Sequence, residues 1–242
     1  MSDRVTLRGG ILIIGSLLWD ESRQDWRDTR LDMASAEAVT APIRYGRRSE
    51  TRGSTYTMVF SRGCEAGRGT VVCCVRPISS VDDLASEAEH LWAAEQHAAV
   101  SRQISAGWGC VALLRNPDRD IPKTFLTGWA NRVAQIQNYG NVPHTLDEGL
   151  LVSADGLLDI PWPQRLSDGS VVQLDFLLAT ATRPTLTGTP LSYPTVEAIS
   201  EAWNADTRNR VEYFWNNYDN GIRTFQDEAI IRLLHPRTRG QA

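Results

Sequence analysis

Glu95 is the residue whose type and position most demand a chemical explanation. It lies in SSVDDLASEAEHLWAAEQHAAVSRQI, residues 79–104, where apolar side chains recur at helical spacing. At 100° per residue with Leu84 at zero, Val81, Ala88, Leu91 and Ala99 fall between ~340° and ~60°. Glu95 falls near ~20°, the middle of that stripe, whereas Glu89 points away near ~140° and Glu87 sits on the margin near ~300°. A carboxylate on an apolar face is costly to ionise without a partner, so its pKa should rise. A group so tuned suits a general base that must also return a proton. The plainer alternative is a helix crossing the edge of the core, with Glu95 in solvent or paired with Arg102 two turns on.

A second unusual place is GGILIIGSLLWDES, residues 9–22. An apolar strand breaks at Gly15-Ser16 and stays apolar afterwards. This fits either a turn or a backbone surface held open for a ligand. Other chemistry is poorly supported. His90 and His97 share the polar face opposite Glu95, at a spacing too long for a paired helical metal site. Ser16 has no GxSxG frame, and GGILIIG lacks the glycine spacing of a dinucleotide fingerprint. Four cysteines (Cys64, Cys73, Cys74, Cys110) show no CxxC spacing, and Cys73-Cys74 reads as a reduced pair in an apolar strand. No metal or cofactor is expected.

These residues must be held by a mixed set of elements. Runs at 10–14, 55–60, 69–75, 108–114 and 124–129 read as strands. One clear helix lies between residues 75 and 108, with Ser79-Ser80 as caps and Asp82-Asp83 in its first turn. A loop around 138–143 follows, then short strands at 149–152 and 171–179, and helices at 195–217 and 224–234. The 242 residues can bury a sizeable core. A net charge of −4 argues against a general nucleic-acid or anionic-membrane surface. No run approaches the ~18 apolar residues of a membrane span, and the first residues lack a signal-peptide pattern, so a cytoplasmic location is expected. Only one of 25 basic residues is lysine, so arginine abundance alone says little about role.

Three stretches, in this order, resemble the γ-glutamylcyclotransferase family, especially its ChaC-like branch. Ile14-Gly15-Ser16-Leu17-Leu18-Trp19 is similar to the family's Tyr-Gly-Ser-Leu-Ile-Trp. RYGRRSETRGSTYTMVFS, residues 44–61, resembles its arginine-pair segment, ending here in Arg52-Gly53-Ser54. Leu91-Trp92-Ala93-Ala94-Glu95 is similar to its helix whose last motif residue is the catalytic glutamate. The resemblance spans residues 10–132. It implies an α+β core, residues 1–132, with a small, mixed, barrel-like sheet and packed helices, and residues 133–242 as an α/β extension packed on it.

The same resemblance implies an enzyme that releases 5-oxoproline from a small γ-glutamyl compound such as glutathione, without cofactor, metal or nucleic acid. Glu95 is the expected catalytic acid/base. The amides of Gly15, Ser16, Leu17 and Leu18 form the expected carboxylate cradle, with Arg52 adding charge-assisted bonds. Ile14 stands where the family motif has tyrosine, and Tyr45, Tyr56 and Tyr139 are the candidate phenols from elsewhere. The competing expectation is a non-catalytic fold member that binds a small carboxylate or a protein partner through the aromatic- and arginine-rich residues 208–225. An open cavity beside Gly15-Ser16 facing Glu95 would separate the two. The sequence leaves the oligomeric state open.

Overall fold

The structure is a computed structural model that describes residues 6–235 apart from 138, 140–143, 146–148 and 207–210. The expected loop around 138–143, apart from residue 139, and the start of the 208–225 segment lie outside the described residues. In chain order the strands are β1 (Gly9–Ile13), β2 (Leu31–Ala41), β3 (Ile43–Ser49), β4 (Thr55–Phe60) and β5 (Gly67–Cys74), then β6 (Ser105–Ala106), β7 (Gly109–Arg115), β8 (His144–Thr145), β9 (Gly149–Leu150) and β10 (Phe176–Thr182). The helices are α1 (Gln24–Arg30), α2 (Val81–Gln96), α3 (Lys123–Ala134), α4 (Val196–Asn204), α5 (Glu212–Asp219) and α6 (Asp227–Leu233).

Six strands form one open sheet in the order β2-β5-β1-β10-β7-β6, and β3-β4 is a separate hairpin. The α+β class holds. The barrel-like closure does not, because β2 and β6 are the two ends of an open sheet and do not pair with each other. β1 runs parallel to β10, while the other pairings in this sheet are antiparallel. Every residue of β1 is buried, which is what a central strand covered on both faces requires. Gly9 belongs to that packing, since a Cβ there would lie 2.3 Å from the Phe176 ring. The division at residue 132 falls within one sheet, because residues 133–242 supply β10 between β1 and β7.

Three expected elements change character. The 124–129 strand is instead part of α3, where Phe125, Trp129 and Val133 bury one face at four-residue intervals. That periodicity prevails over the β-prone composition of TFLTGW. The helix read through residue 104 stops at Gln96, where His97 takes the left-handed conformation (φ 52°) and its N–H caps the Ala93 carbonyl. The 195–217 helix divides into α4 and α5. The start of α2 follows the expectation, with Ser80 accepting from the Asp83 amide at 3.1 Å and Asp83 accepting from the Ser79 amide at 3.0 Å. Among the described residues no helix is long and apolar enough to cross a membrane.

Candidate active site

A cavity of about 440 Å³ opens where the parallel strands β1 and β10 end. The carboxyl ends of parallel strands are a recurrent place for ligand crevices in open sheets. Gly15, Ser16 and Leu17 line it from the β1 end, Thr180 and Thr182 from β10, and Glu95 from α2. Arg47, Thr57 and Met58 of the β3-β4 hairpin, Arg52, Trp108 and Tyr213 also line it.

The loop after β1 is ordered by its carbonyls. The Gly15 carbonyl accepts from the Leu18 amide at 3.1 Å, and the Ser16 carbonyl accepts from the Trp19 and Asp20 amides. Buried Arg27 donates to the carbonyls of Leu17 and Asp20, both at 2.9 Å. The N–H groups of Gly15, Ser16 and Leu17 meet no acceptor among the described residues. Three consecutive open donors beside a cavity form an anion nest. Leu18 is not part of it. Its N–H is spent on the turn, and it does not line the cavity. Arg52 joins the nest by donating to Ser16 Oγ at 3.0 Å.

Glu95 occupies the last turn of α2, which ends one residue later. A carboxylate on the apolar face is thereby reconciled with the packing. Leu84, Ala88 and Leu91 of that face enter the core, and the next turn runs out over the cavity. Burial pushes the Glu95 carboxyl above the ordinary range. The Thr180 hydroxyl, then the guanidinium groups of Arg23, Arg47 and Arg52, pull the other way without cancelling it. Thr180 Oγ1 is itself buried and completes no hydrogen bond, so its pull on Glu95 acts through proximity. Arg102 is exposed and lies beyond the helix end, which removes the ion pair of the plainer alternative.

Several cavity residues were not anticipated. Tyr213 of α5, rather than Tyr45, Tyr56 or Tyr139, brings a phenol to the site. Its hydroxyl would lie 3.0 Å from a Cβ on Gly15, a tight contact that glycine relieves. Tyr45 packs edge-on against Trp203 in the core, Tyr139 donates to the Val111 carbonyl, and Tyr56 is buried away from the cavity. Burial raises the Tyr213 pKa, although the Arg52 guanidinium lies 4.6 Å above its ring. α5 is also tied to the β1 loop by the Trp19 indole, which donates to Asn217 Oδ1 at 2.8 Å. His97, read as part of a solvated helix face, instead leaves the helix and lines the cavity against Arg23. Burial and then the charge of Arg23 lower its pKa.

Glu95, Gly15, Ser16, Leu17 and Arg52 are therefore brought to one cavity by β1, α2 and the β3-β4 connection. Together they offer a carboxyl whose pKa burial raises, a run of open backbone N–H donors and a guanidinium. No family model, curated protein or solved structure of significant similarity matches the chain.

Proposed function

We propose that the protein is a γ-glutamylcyclotransferase-like enzyme that releases 5-oxoproline from a small γ-glutamyl compound. The observation that carries this reading is the Glu95 carboxyl facing the same open cavity as the free amides of Gly15, Ser16 and Leu17. The three-part resemblance in sequence supports it independently.

In this reading the nest and Arg52 hold the substrate α-carboxylate, which folds the glutamyl chain so that its α-nitrogen reaches its own γ-carbonyl carbon. Glu95 accepts a proton from the α-ammonium, and the freed amine attacks. A bond forms between the α-nitrogen and the γ-carbon, and the bond from that carbon to the departing nitrogen breaks. Two protons leave the α-nitrogen during the reaction and two reach the departing amine, both by way of Glu95. A carboxyl with a raised pKa is suited to both directions of transfer. Tyr213 supplies a neutral phenol at the nest, where Ile14 supplies none.

The test is incubation of the full chain with a panel of γ-glutamyl amino acids, peptides and amines, with 5-oxoproline as the readout. Release by the wild type, and its loss in Glu95→Gln, is the expected result. Undiminished release in Glu95→Gln refutes the role of Glu95. Binding of the panel without release leaves the non-catalytic carboxylate binder as the better description.

A further inference from the structure

One cation of the cavity is left over by the reaction as described. Arg52 is engaged by Ser16, and Arg23 by Asp20 at 3.1 Å and by the Glu95 carbonyl at 3.5 Å. The Arg47 guanidinium makes no hydrogen bond or ion pair with any described residue. It lies over the Trp108 ring, 4.6 Å from its centroid, and Trp108 is stacked in turn on Trp92 at 4.7 Å and 19°. This contact holds the guanidinium by its π-face at the cavity wall, where both Arg47 and Trp108 line the cavity.

The local sequence explains the placement. The β3-β4 ladder shifts register between Tyr45 and Arg47, and Gly46, whose Cβ would meet Val59 at 2.6 Å, occupies the irregularity. Beyond it, Arg47 pairs with Thr57, and both line the cavity. Trp108 is presented by the two-residue turn between β6 and β7, where Ala106 pairs with Gly109.

Sheet order sets the distance from the nest. β1, which carries the nest, and β7, which carries Trp108, flank β10 on opposite sides. Two strand spacings separate them, roughly 10 Å. Thr180 of β10, beside Glu95, stands between. A γ-glutamyl amino acid folded for ring closure places its two carboxylate carbons roughly 6–7 Å apart at standard covalent dimensions, a gap that the arginine side chain helps to span. A substrate with one carboxylate in the nest and its scissile amide at Glu95 would therefore direct a second carboxylate towards Arg47.

We propose that Arg47, held on Trp108, is a second anion site that selects γ-glutamyl compounds whose departing amine carries a carboxylate. The substrate class is then γ-glutamyl α-amino acids or short peptides with a free C-terminus, in preference to γ-glutamylamines. This inference rests on the cyclotransferase reading, and the test is arranged to separate the two.

The probe pair is γ-glutamylalanine and γ-glutamylalaninamide, which are matched in shape and differ in the terminal charge. Wild-type kcat/KM should favour the acid by about 10- to 100-fold, the range of a hydrogen bond between charged groups. In Arg47→Leu that ratio should fall towards one, with Arg47→Lys intermediate because it keeps the charge and loses the fork. Trp108→Leu, which frees the guanidinium, should also reduce the ratio, and thermal melts verify that each variant is folded. Equal kcat/KM for the two probes, or a ratio that persists in Arg47→Leu, overturns the inference and leaves the reaction standing. If neither probe releases 5-oxoproline, the reaction fails and calorimetric binding of the same pair decides. A preference for the acid that disappears in Arg47→Leu supports the anion site. Equal binding, or binding of neither, overturns it.

Discussion

Glu87 and Glu95 lie two turns apart on α2, and burial raises the pKa of both. Their surroundings differ. Both oxygens of Glu87 are taken by Arg30, at 2.6 and 3.1 Å, in a pair that is largely buried. Glu95 feels three guanidinium groups but completes no side-chain hydrogen bond with any described residue, and it faces a cavity. The direction of a pKa shift therefore does not separate a structural carboxylate from a reactive one. What separates them is whether the lone pairs are already committed. Glu87 joins α1 to α2, and Glu95 leaves its lone pairs uncommitted beside the cavity.

The strongest test of this contrast exchanges each carboxylate for its amide. Glu95→Gln should reduce 5-oxoproline release by ~10³-fold or more, near the upper range for a general acid/base, while leaving the melting temperature unchanged or raised. Glu87→Gln should do the reverse. Leaving Arg30 buried beside a neutral group costs about 3 kcal/mol, and turnover per folded molecule should persist. Replacing Arg30 by Met in the same chain should recover part of that loss, because the uncompensated charge is then gone. A stability loss in Glu95→Gln equal to that in Glu87→Gln would make both residues structural and remove the contrast.

Asp227, at the start of α6, is a third buried carboxyl and falls between the two. One oxygen accepts from the Thr224 hydroxyl at 2.5 Å, while the other is buried without a partner. Burial raises its pKa from the ordinary 3.8 to about 6. The native state thus holds this proton more tightly than the unfolded chain, so stability falls as pH rises from about 4 through 6. Asp227→Asn abolishes that titration. Relative to wild type, the variant should gain up to about 3 kcal/mol between pH 4 and 7, read from denaturant melts across the range. A constant difference would show that Asp227 is not held protonated by the fold.

The sequence revealed the parts of the site that rest on local patterns. β1 followed by Gly15-Ser16 was visible as an interrupted apolar run. Glu95 was visible because helical periodicity makes a misplaced carboxylate conspicuous. Its escape from the core was not visible, because that depends on α2 ending at His97, a residue that supplies no common stop signal such as glycine. Arg102 looked like a partner only while the helix was allowed to continue. Tyr213 and Thr180 could not be found from spacing. They reach the cavity only because β10, far along the chain, inserts between β1 and β7, and because α5 packs on the β1 loop. Long-range strand order leaves no periodic trace in sequence. The α3 segment shows the opposite failure, in which local β-propensity concealed a four-residue repeat.

The smallest expected effect is also the most specific to Glu95. Thr180→Val is close to isosteric and removes only the hydroxyl that favours the ionised carboxylate. Glu95 must be ionised to accept the first proton, so its pKa in the free enzyme sets the acid limb of kcat/KM. Burial already places that limb above the ordinary carboxylate range, and the remaining downward pull comes from Arg23, Arg47 and Arg52. Removing the hydroxyl should shift the limb to higher pH. Arg30 and Glu87 are not in contact with Thr180, so the ion pair that joins α1 to α2 should contribute to stability as in wild type. A limb that moves to lower pH would mean that the hydroxyl favours the protonated acid. The functional member of the pair would then be held for donating a proton rather than for taking one.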